Sequence, residues 1–206
     1  MSKLILGNGL LGKELVKQTG WNNINRKEHN IDFSKPETYD YLIKTFDVII
    51  NCIAYTDTYS DDKQKHWDIN YKGVIDLVDI CNKYNKKLVH ISTDYIYTNS
   101  KEEASEEDIP IHCNNWYGYT KLLADGYVQA KSNNFLLLRG THKKEPFPYD
   151  KAWVHQIGNF DYVSVITNLI VKLINKDCFG VYNVGTEIKT MYDLAKRTKK
   201  DVKCDV

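Results

Sequence analysis

The sequence predicts an α/β fold in which helices cover both faces of a doubly wound parallel sheet. Short apolar runs alternate with longer amphipathic stretches along the 206 residues, the pattern of repeated strand–helix units. The first apolar run, residues 3–6, ends in a glycine-rich turn and leads into an amphipathic stretch. Two later runs, 47–51 and 87–92, are almost wholly apolar, as central strands buried on both faces should be.

The remaining elements follow from the same alternation. We expect strands at 3–6, 22–25, 47–51, 87–92, 135–138 and 180–184. We expect helices from an amphipathic stretch at 13–17 and at 36–45, 63–84, 116–131, 163–174 and 191–198. The loop 98–115 carries an acidic run that we interpret as solvated surface, namely Glu102, Glu103, Glu106, Glu107 and Asp108.

Composition narrows the class of protein. The formal net charge of +1 gives no electrostatic reason to expect binding to nucleic acid or to an anionic membrane. No apolar run approaches the roughly 20 residues that span a bilayer, and no signal-peptide pattern opens the chain, so we expect a cytoplasmic protein. The histidines and cysteines show no metal-ligand spacing, so no metal is predicted; the five cysteines are Cys52, Cys81, Cys113, Cys178 and Cys204.

The glycine turn has the G-x-G-x-x-G spacing of a dinucleotide site. It lies between a strand and a helix, where glycines let the backbone approach a pyrophosphate and the helix N-terminus supplies positive potential. The alternative is a tight turn in another α/β protein. The turn consists of Gly7, Asn8, Gly9, Leu10, Leu11 and Gly12.

The end of the second strand bears on which cofactor is used. NAD-binding units usually carry an acidic residue there for the ribose 2′-hydroxyl, but this chain has Asn25, Arg26 and Lys27. A cation suits a 2′-phosphate and favours NADP. The alternative is a solvated basic turn.

Residues 92–121 hold a candidate acid–base group. Tyr117 precedes Lys121 by four residues, so both lie on one helix face, and Thr93 follows the fourth strand. A neighbouring ammonium lowers the pKa of a phenol, which otherwise is about 10. We therefore expect these three side chains to meet and to protonate a carbonyl oxygen.

Together these residues resemble the extended short-chain dehydrogenase/reductase family, and most of all its dTDP-4-dehydrorhamnose reductases and related nucleotide-rhamnose enzymes. The resemblance covers 1–139 well and the remainder patchily. Beyond the glycine turn and Asp32-Phe33, it is carried by V-I-I-N-C-I-A-Y-T (48–56), D-I-N (68–70), H-I-S-T-D-Y-I-Y (90–97), N-x-Y-G-Y-T-K (115–121), L-L-L-R (136–139) and G-V-Y-N-V-G (180–185).

The resemblance implies a single NAD(P)-binding Rossmann-like domain over 1–206 that reduces the 4-keto group of a nucleoside-diphosphate sugar. It implies that Thr93, Tyr117 and Lys121 are catalytic. It implies NADP, with NADPH preferred and NAD as the alternative. The cofactor positions are Gly7, Asn8, Gly9, Leu10, Leu11, Gly12, Arg26, Asp32, Phe33, Cys52, Ala54, Thr56, Tyr117 and Lys121.

The chain departs from the family in three ways. Its glycine turn is one residue shorter, Cys113 stands where proline is common, and the segment after Arg139 is much reduced. We expect the short loop 141–160 to replace the usual substrate lobe. The expected substrate contacts are Thr93, Asp94, Lys143, Lys144 and Trp153. The alternative is an exposed basic turn followed by aromatic residues that cap the core.

Two other functions remain open. A 4,6-dehydratase or epimerase would stay within the family, but dehydratases carry an Asp-Glu pair where this chain has Asp94 and Tyr95. A non-catalytic NADP-binding regulatory subunit is also compatible with the shortened substrate region. We further expect a homodimer through the helices 63–84 and 116–131, whose apolar surface would be Ile69, Leu77, Leu122 and Val128.

Overall fold

The fold is described by a computed structural model for residues 1–97, 103–108 and 115–206. The strands are β1 (Lys3–Leu6), β2 (Asn22–Ile24), β3 (Val48–Asn51), β4 (Lys87–Ile91), β5 (Phe135–Arg139), β6 (His142–Lys143), β7 (Lys151–Trp153), β8 (Ile157–Gly158), β9 (Asp161–Tyr162), β10 (Gly180–Asn183), β11 (Lys189–Thr190) and β12 (Lys203–Asp205). The α-helices are α1 (Leu10–Thr19), α2 (Arg26–His29), α3 (Asp40–Ile43), α4 (Lys63–His66), α5 (Gly73–Lys83), α6 (Trp116–Lys131), α7 (Val163–Asn175) and α8 (Met191–Lys196).

Six of these strands form one central parallel sheet in the order β2–β1–β3–β4–β5–β10. The chain steps from β1 to β2 in one direction and then returns to place β3 on the other side of β1. This reversal is the switch point of a doubly wound sheet, so the expected Rossmann-like α/β class is confirmed.

Alternate residues of each strand feed two cores on opposite faces of the sheet. Leu4 and Leu6 of β1 face the helices α5 and α6, whereas Ile5 between them faces α1 and α7. Because successive side chains of a strand point to opposite faces, a strand that is covered on both faces needs apolar residues at every position. This explains the uninterrupted apolar runs of the sequence.

The long helix expected at 63–84 forms with a wider turn in its middle. Between α4 and α5 lies a π-helical segment, Trp67–Lys72. Within it Asn70 accepts a hydrogen bond from the Tyr55 backbone N–H (2.8 Å) and donates one to the Tyr55 carbonyl (2.9 Å). The segment thereby ties the helix to the loop that follows β3.

The helix expected at 36–45 is broken. A 3₁₀ turn (Pro36–Thr38) precedes the single turn α3, and Tyr39 between them has no exposed surface. Burying that ring against Phe33, 5.7 Å away between centroids, takes precedence over continuous helical geometry.

The loop expected at 141–160 and the residues after β10 build a small lobe at one edge of the molecule. Here β6 pairs with β9, β7 with β12, and β8 with β11. The lobe has a hydrophobic cluster of its own, made of Phe147, Ala152, Phe160, Tyr162, Met191, Leu194, Ala195 and Val202. The loop 141–160 is therefore half of the lobe, and the C-terminal segment supplies the other half.

Two surface expectations need correction. Leu77 and Val128 have no exposed surface, because they pack in the core between α5, α6 and the sheet, and so cannot form a dimer face. In the acidic run, the Glu106 carboxylate accepts a hydrogen bond from the Asn183 backbone N–H of edge strand β10 (2.6 Å), so this residue is not merely solvated. Glu102 and Cys113 lie outside the described residues.

In the described ranges no helix has the length and apolarity to cross a membrane. Within those same residues, no group of three or more His, Cys, Asp or Glu side chains is arranged to hold a metal ion.

Candidate functional site

A cleft of about 740 Å³ opens at the carboxyl edge of the sheet, beside the switch point between β1 and β3. One wall is the glycine turn and the loop after β3, the floor is the end of β4 and the start of α6, and the other wall is the lobe. The cleft brings together Gly9, Leu10, Leu11, Cys52, Ala54, Thr56, Thr93, Tyr117, Lys121, Lys143, Lys144 and Trp153, twelve of the residues expected at the site.

The glycine turn meets two different steric demands. Gly7 has a φ of +100°, and a Cβ on Gly12 would lie 2.3 Å from the Gly7 carbonyl oxygen, so both are needed for the turn itself. A Cβ on Gly9 would meet nothing within 4 Å. Gly9 is thus dispensable for packing, and its open side faces the cleft.

A side chain of β2 supports the glycine turn through hydrogen bonds that the sequence does not predict. The Asn23 side-chain amide donates to the Gly7 carbonyl (2.8 Å) and to the Ile5 carbonyl (3.1 Å), which joins β2 to the turn. The only signal in the sequence was an asparagine in a short strand, and that pattern has no unique meaning.

At the end of β2, the Asn25 side chain caps α2 by accepting the Lys27 and Glu28 backbone N–H groups, both at 3.1 Å. Arg26 is the first residue of α2 and is exposed. Asp32 accepts hydrogen bonds from Ser34, which lower its pKa.

Six expected cofactor positions and one substrate position lie away from the cleft lining, among them Gly7 and Gly12 of the turn itself. Phe33 is buried, and a Cβ on Gly73 would lie 2.6 Å from its ring, so its side chain belongs to the core. Arg26, Asp32 and Asn8 lie outside the lining, as does Asp94.

Thr93, Tyr117 and Lys121 converge on the floor of the cleft. The Asn115 side chain accepts the Gly118 N–H (2.8 Å) and so starts α6 just before Tyr117. One turn later, Lys121 is 1% exposed and its Nζ donates to the Ile91 carbonyl (2.7 Å). The start of the helix and the end of β4 together determine where the phenol and the amine lie.

Burial shifts the pKa values of Tyr117 and Lys121 in opposite directions. It raises the pKa of Tyr117, and the hydrogen bond with Thr93 opposes that rise. Burial likewise lowers the pKa of Lys121 to about 8. The sequence predicts that Lys121 lowers the Tyr117 pKa, but in the structure burial is the largest influence and the pKa of the phenol rises.

Asp94 and Lys143 face each other beside this floor. Burial raises the pKa of Asp94, although a hydrogen bond from the Thr141 hydroxyl opposes the rise. Burial lowers the pKa of Lys143, and Asp94 partly offsets this. Asp94 therefore positions the lobe through Thr141 and Lys143.

Aromatic side chains at the mouth of the cleft were only partly foreseen. Trp153 is 48% exposed, and the unexpected Tyr59 and Tyr149 are 84% and 61% exposed. Tyr95 packs edge-on against Tyr117, with ring centroids 5.9 Å apart. Tyr59 lies in an irregular loop, where no periodicity signals its position.

The fold and the cleft define the class of this chain, a Rossmann-like α/β protein with a Tyr/Lys pair at the floor of its cleft. A model of the family described as RmlD substrate binding domain matches residues 1–142, so the chain belongs to that family. The resemblance to dTDP-4-dehydrorhamnose reductases is thereby confirmed.

Curated relatives agree. The chain is 27% identical over 171 residues to a dTDP-4-dehydrorhamnose reductase of Mycolicibacterium smegmatis, covering 78% of this chain and 48% of that protein. It is 24% identical over 178 residues to the spore coat polysaccharide biosynthesis protein SpsK of Bacillus subtilis, covering 82% and 59%. The chain thus spans about half the length of the curated relatives it matches.

Solved structures share the fold. A dTDP-4-dehydrorhamnose reductase of Clostridium acetobutylicum superposes with a TM-score of 0.85 at 24% identity, covering 100% of this chain and 83% of that one. The enzyme of Bacillus anthracis, solved in complex with NADP, gives 0.84 at 23% identity, covering 100% and 84%. At these identities the likeness concerns the fold.

Proposed function

We propose that this protein uses NADPH to reduce the 4-keto group of a nucleoside-diphosphate 4-keto-6-deoxy sugar, as in dTDP- or UDP-rhamnose synthesis. The observation that carries the proposal is the meeting of Thr93, Tyr117 and Lys121 on the cleft floor, across from the glycine turn. The names of the matched relatives support the same reaction.

The glycine turn fits a dinucleotide pyrophosphate. Gly9 leaves open space at the N-terminus of α1, and no side chain caps that helix end. Backbone N–H groups there are available to an anion. We propose that the turn holds the pyrophosphate, that Ala54 and Thr56 border the cofactor, and that Arg26 meets the 2′-phosphate of NADP. When bound, the cofactor supplies the hydride.

The chain's own residues supply the proton. Thr93 would hydrogen-bond the keto oxygen, and Tyr117 would give its phenolic proton to the alkoxide as it forms. Since burial keeps the pKa of Tyr117 high, the phenol carries its proton before the reaction begins. Positioned proton transfer of this kind typically contributes about 10²- to 10⁴-fold to the rate.

The lobe would bind the nucleotide end of the substrate. Lys143 and Lys144 line the cleft and suit a diphosphate, while the half-exposed ring of Trp153 suits a base or sugar. This substrate loop within one domain stays a prediction.

The alternatives fit less well. Tyr95 occupies the position where a dehydratase needs its second carboxylate. A regulatory NADP-binding role does not require a phenol, an amine and a hydroxyl to converge in the cleft.

The decisive assay follows NADPH oxidation with dTDP- and UDP-linked 4-keto-6-deoxy sugars. Oxidation by the wild type, and its loss by about 10²- to 10⁴-fold in Tyr117→Phe with NADPH binding retained, is the expected result. Tyr119→Phe on the same helix is the matched control. NADPH binding without turnover of any nucleotide sugar would favour the regulatory role instead.

We also propose a cytoplasmic homodimer through the exposed faces of the helical segment 63–83 and of α6, with half-buried Ile69 and Leu122 at its contact. Light scattering at micromolar concentration tests the homodimer, and a monomeric mass would contradict this proposal.

A further inference from the structure

His142 lines the cleft with an imidazole that no described protein group binds. The ring is half-buried, and among the residues that the structure describes neither of its nitrogens has a hydrogen-bond partner. Polar side chains that are shielded from water nearly always have such a partner in folded proteins. An imidazole without one, at the wall of a cleft, therefore indicates a group whose hydrogen bonds a ligand completes.

The backbone around His142 is fixed without the help of its ring. A Cβ on Gly140 would lie 2.4 Å from the Val184 carbonyl oxygen, so the chain leaves β5 in close contact with the residue after β10. The next residues form β6 and pair with β9, His142 opposite Asp161. The imidazole is thus free to serve a ligand, and its position is set before a ligand arrives.

Two neighbours of His142 tie this segment to the floor of the cleft. The Thr141 hydroxyl donates to the carboxylate of Asp94, which directly follows Thr93, and Lys143 also faces Asp94. Successive side chains of an extended segment point to opposite sides, so His142 points away from Asp94. Since Asp94 lies outside the cleft lining and His142 belongs to it, the imidazole faces the cleft beside the floor.

The protonation state of the ring determines what it can bind. Burial lowers the pKa of His142 to about 4, and the charge of Lys143 acts in the same direction, so the imidazole is neutral near neutral pH. A neutral imidazole has one N–H donor and one acceptor nitrogen. This pair suits a hydroxyl group, which also donates and accepts, whereas a diphosphate is better served by the cations Lys143 and Lys144.

We propose that His142 is a specificity-determining residue that hydrogen-bonds the hydroxyl next to the keto group of the sugar, an inference that rests on the proposed function. In a 4-keto-6-deoxy hexose, one neighbour of the ketone carries the 3-hydroxyl, and the other carries the methyl group and the ring oxygen. When the keto oxygen lies on Thr93 and Tyr117, the 3-hydroxyl is the one hydroxyl adjacent to the reacting carbon. His142 thus distinguishes sugars that keep this hydroxyl from sugars that lack it.

Binding to the protein saturated with NADP⁺ provides the test, because the oxidised cofactor leaves the ketone unreduced. The ligands, titrated by calorimetry, are dTDP- and UDP-linked 4-keto-6-deoxyglucose, their 3-deoxy analogues, and free dTDP and UDP. We expect the wild type to bind the sugars with the 3-hydroxyl about tenfold more tightly than the 3-deoxy analogues. His142→Phe should lose this difference, while its affinity for NADP⁺ and for the free nucleotides stays unchanged.

Two further variants show whether the polar atoms of the ring are responsible. His142→Gln keeps one donor and one acceptor, so it should retain part of the discrimination. His155→Phe removes an exposed imidazole from the same lobe and should behave as the wild type. A His142→Phe protein that still discriminates tenfold, or that loses affinity for NADP⁺ and the free nucleotides as well, would overturn the inference.

The wild-type protein decides the question if His142→Phe does not fold. In two-bond proton–nitrogen NMR spectra, the His142 ring nitrogens should shift with the sugar that has the 3-hydroxyl and much less with its 3-deoxy analogue. Equal shifts with both ligands would refute the contact. Reduction of the sugars without discrimination at the 3-position would contradict this inference alone, whereas a failure of both sugar series to bind would contradict the proposed function and the inference together.

Discussion

At the scale of single residues, desolvation is the main force on the titratable groups of the cleft. It lowers the pKa of Lys121 and Lys143 and raises that of Tyr117 and Asp94. Removing a charge from water disfavours the charged form unless a partner replaces the lost solvation. Burial in the cleft therefore shifts the pKa of each of these four groups towards its uncharged form.

The burial of His142 makes the stability of the protein depend on pH. Burial lowers its pKa to about 4 in the folded state, whereas an unfolded histidine has a pKa of about 6.5. Between these values the unfolded chain binds the proton and the folded chain does not, so stability falls as pH drops from 6.5 to 4.

We expect His142→Gln to flatten this part of the curve, measured as urea midpoints between pH 7 and pH 4. His155→Gln, which removes an exposed imidazole, is the control and should follow the wild type. Parallel curves for wild type and His142→Gln would contradict the shifted pKa.

At the scale of elements, two glycines of the turn have different roles, one in packing and one in the proposed binding of the cofactor. Gly12 touches the Gly7 carbonyl, while Gly9 touches nothing on its open side. Gly12 therefore allows α1 to pack against the turn, whereas Gly9 leaves open space at the N-terminus of α1.

We expect Gly12→Ala to destabilise the protein by about 1–3 kcal/mol, because its Cβ overlaps a backbone oxygen. Gly9→Ala should cost about 1 kcal/mol or less and yet weaken NADPH binding. Chemical denaturation and fluorescence titration of both variants measure the two effects. Unchanged NADPH affinity in Gly9→Ala would move the pyrophosphate away from the turn.

The junction of β2 and α2 bears on cofactor choice. Asn25 is committed to capping α2, which leaves the exposed Arg26 as the cation next to it. We expect Arg26→Ala to weaken NADPH binding about tenfold or more and NADH binding little, because a charge-assisted phosphate contact is lost. Lys27→Ala is the neighbouring control. Equal losses for NADPH and NADH would show that Arg26 acts structurally.

At the scale of the whole molecule, the lobe is held by its own small core and meets the sheet across the cleft. Phe147 is buried in that core, whereas Trp153 is not part of it. Phe147 therefore caps the lobe core, whereas a role for Trp153 in substrate binding stays a prediction.

We expect Trp153→Ala, and separately Lys143→Ala/Lys144→Ala, to fold normally and to weaken nucleotide-sugar binding while NADPH binding is unchanged. The exposed pair Lys172→Ala/Lys176→Ala on and after α7 removes the same charge elsewhere and should change neither affinity. Calorimetric titration with the nucleoside diphosphate measures the difference. If the lysine pair changes nothing and Trp153→Ala unfolds the lobe, the loop is structural.

The sequence by itself determined the six strands of the central sheet and their order along the chain, the glycine turn and the placement of Thr93, Tyr117 and Lys121 at one edge. These depend on local periodicity and on the rule that parallel strands end together. The helix α6 forms at the expected residues, 116–131, because its asparagine cap and its apolar spacing are local signals.

Only the tertiary structure decided the lobe, the burial of Leu77 and Val128, and the pKa shifts in the cleft. The lobe core joins Phe147 to Val202 across 55 positions, and no local pattern encodes that contact. Leu77 and Val128 are apolar whether they face a partner or the sheet, so their burial had to be seen. The pKa of Lys121 depends on desolvation by the residues that pack around it. Such burial and desolvation arise only when residues that are distant in sequence pack together in the folded protein.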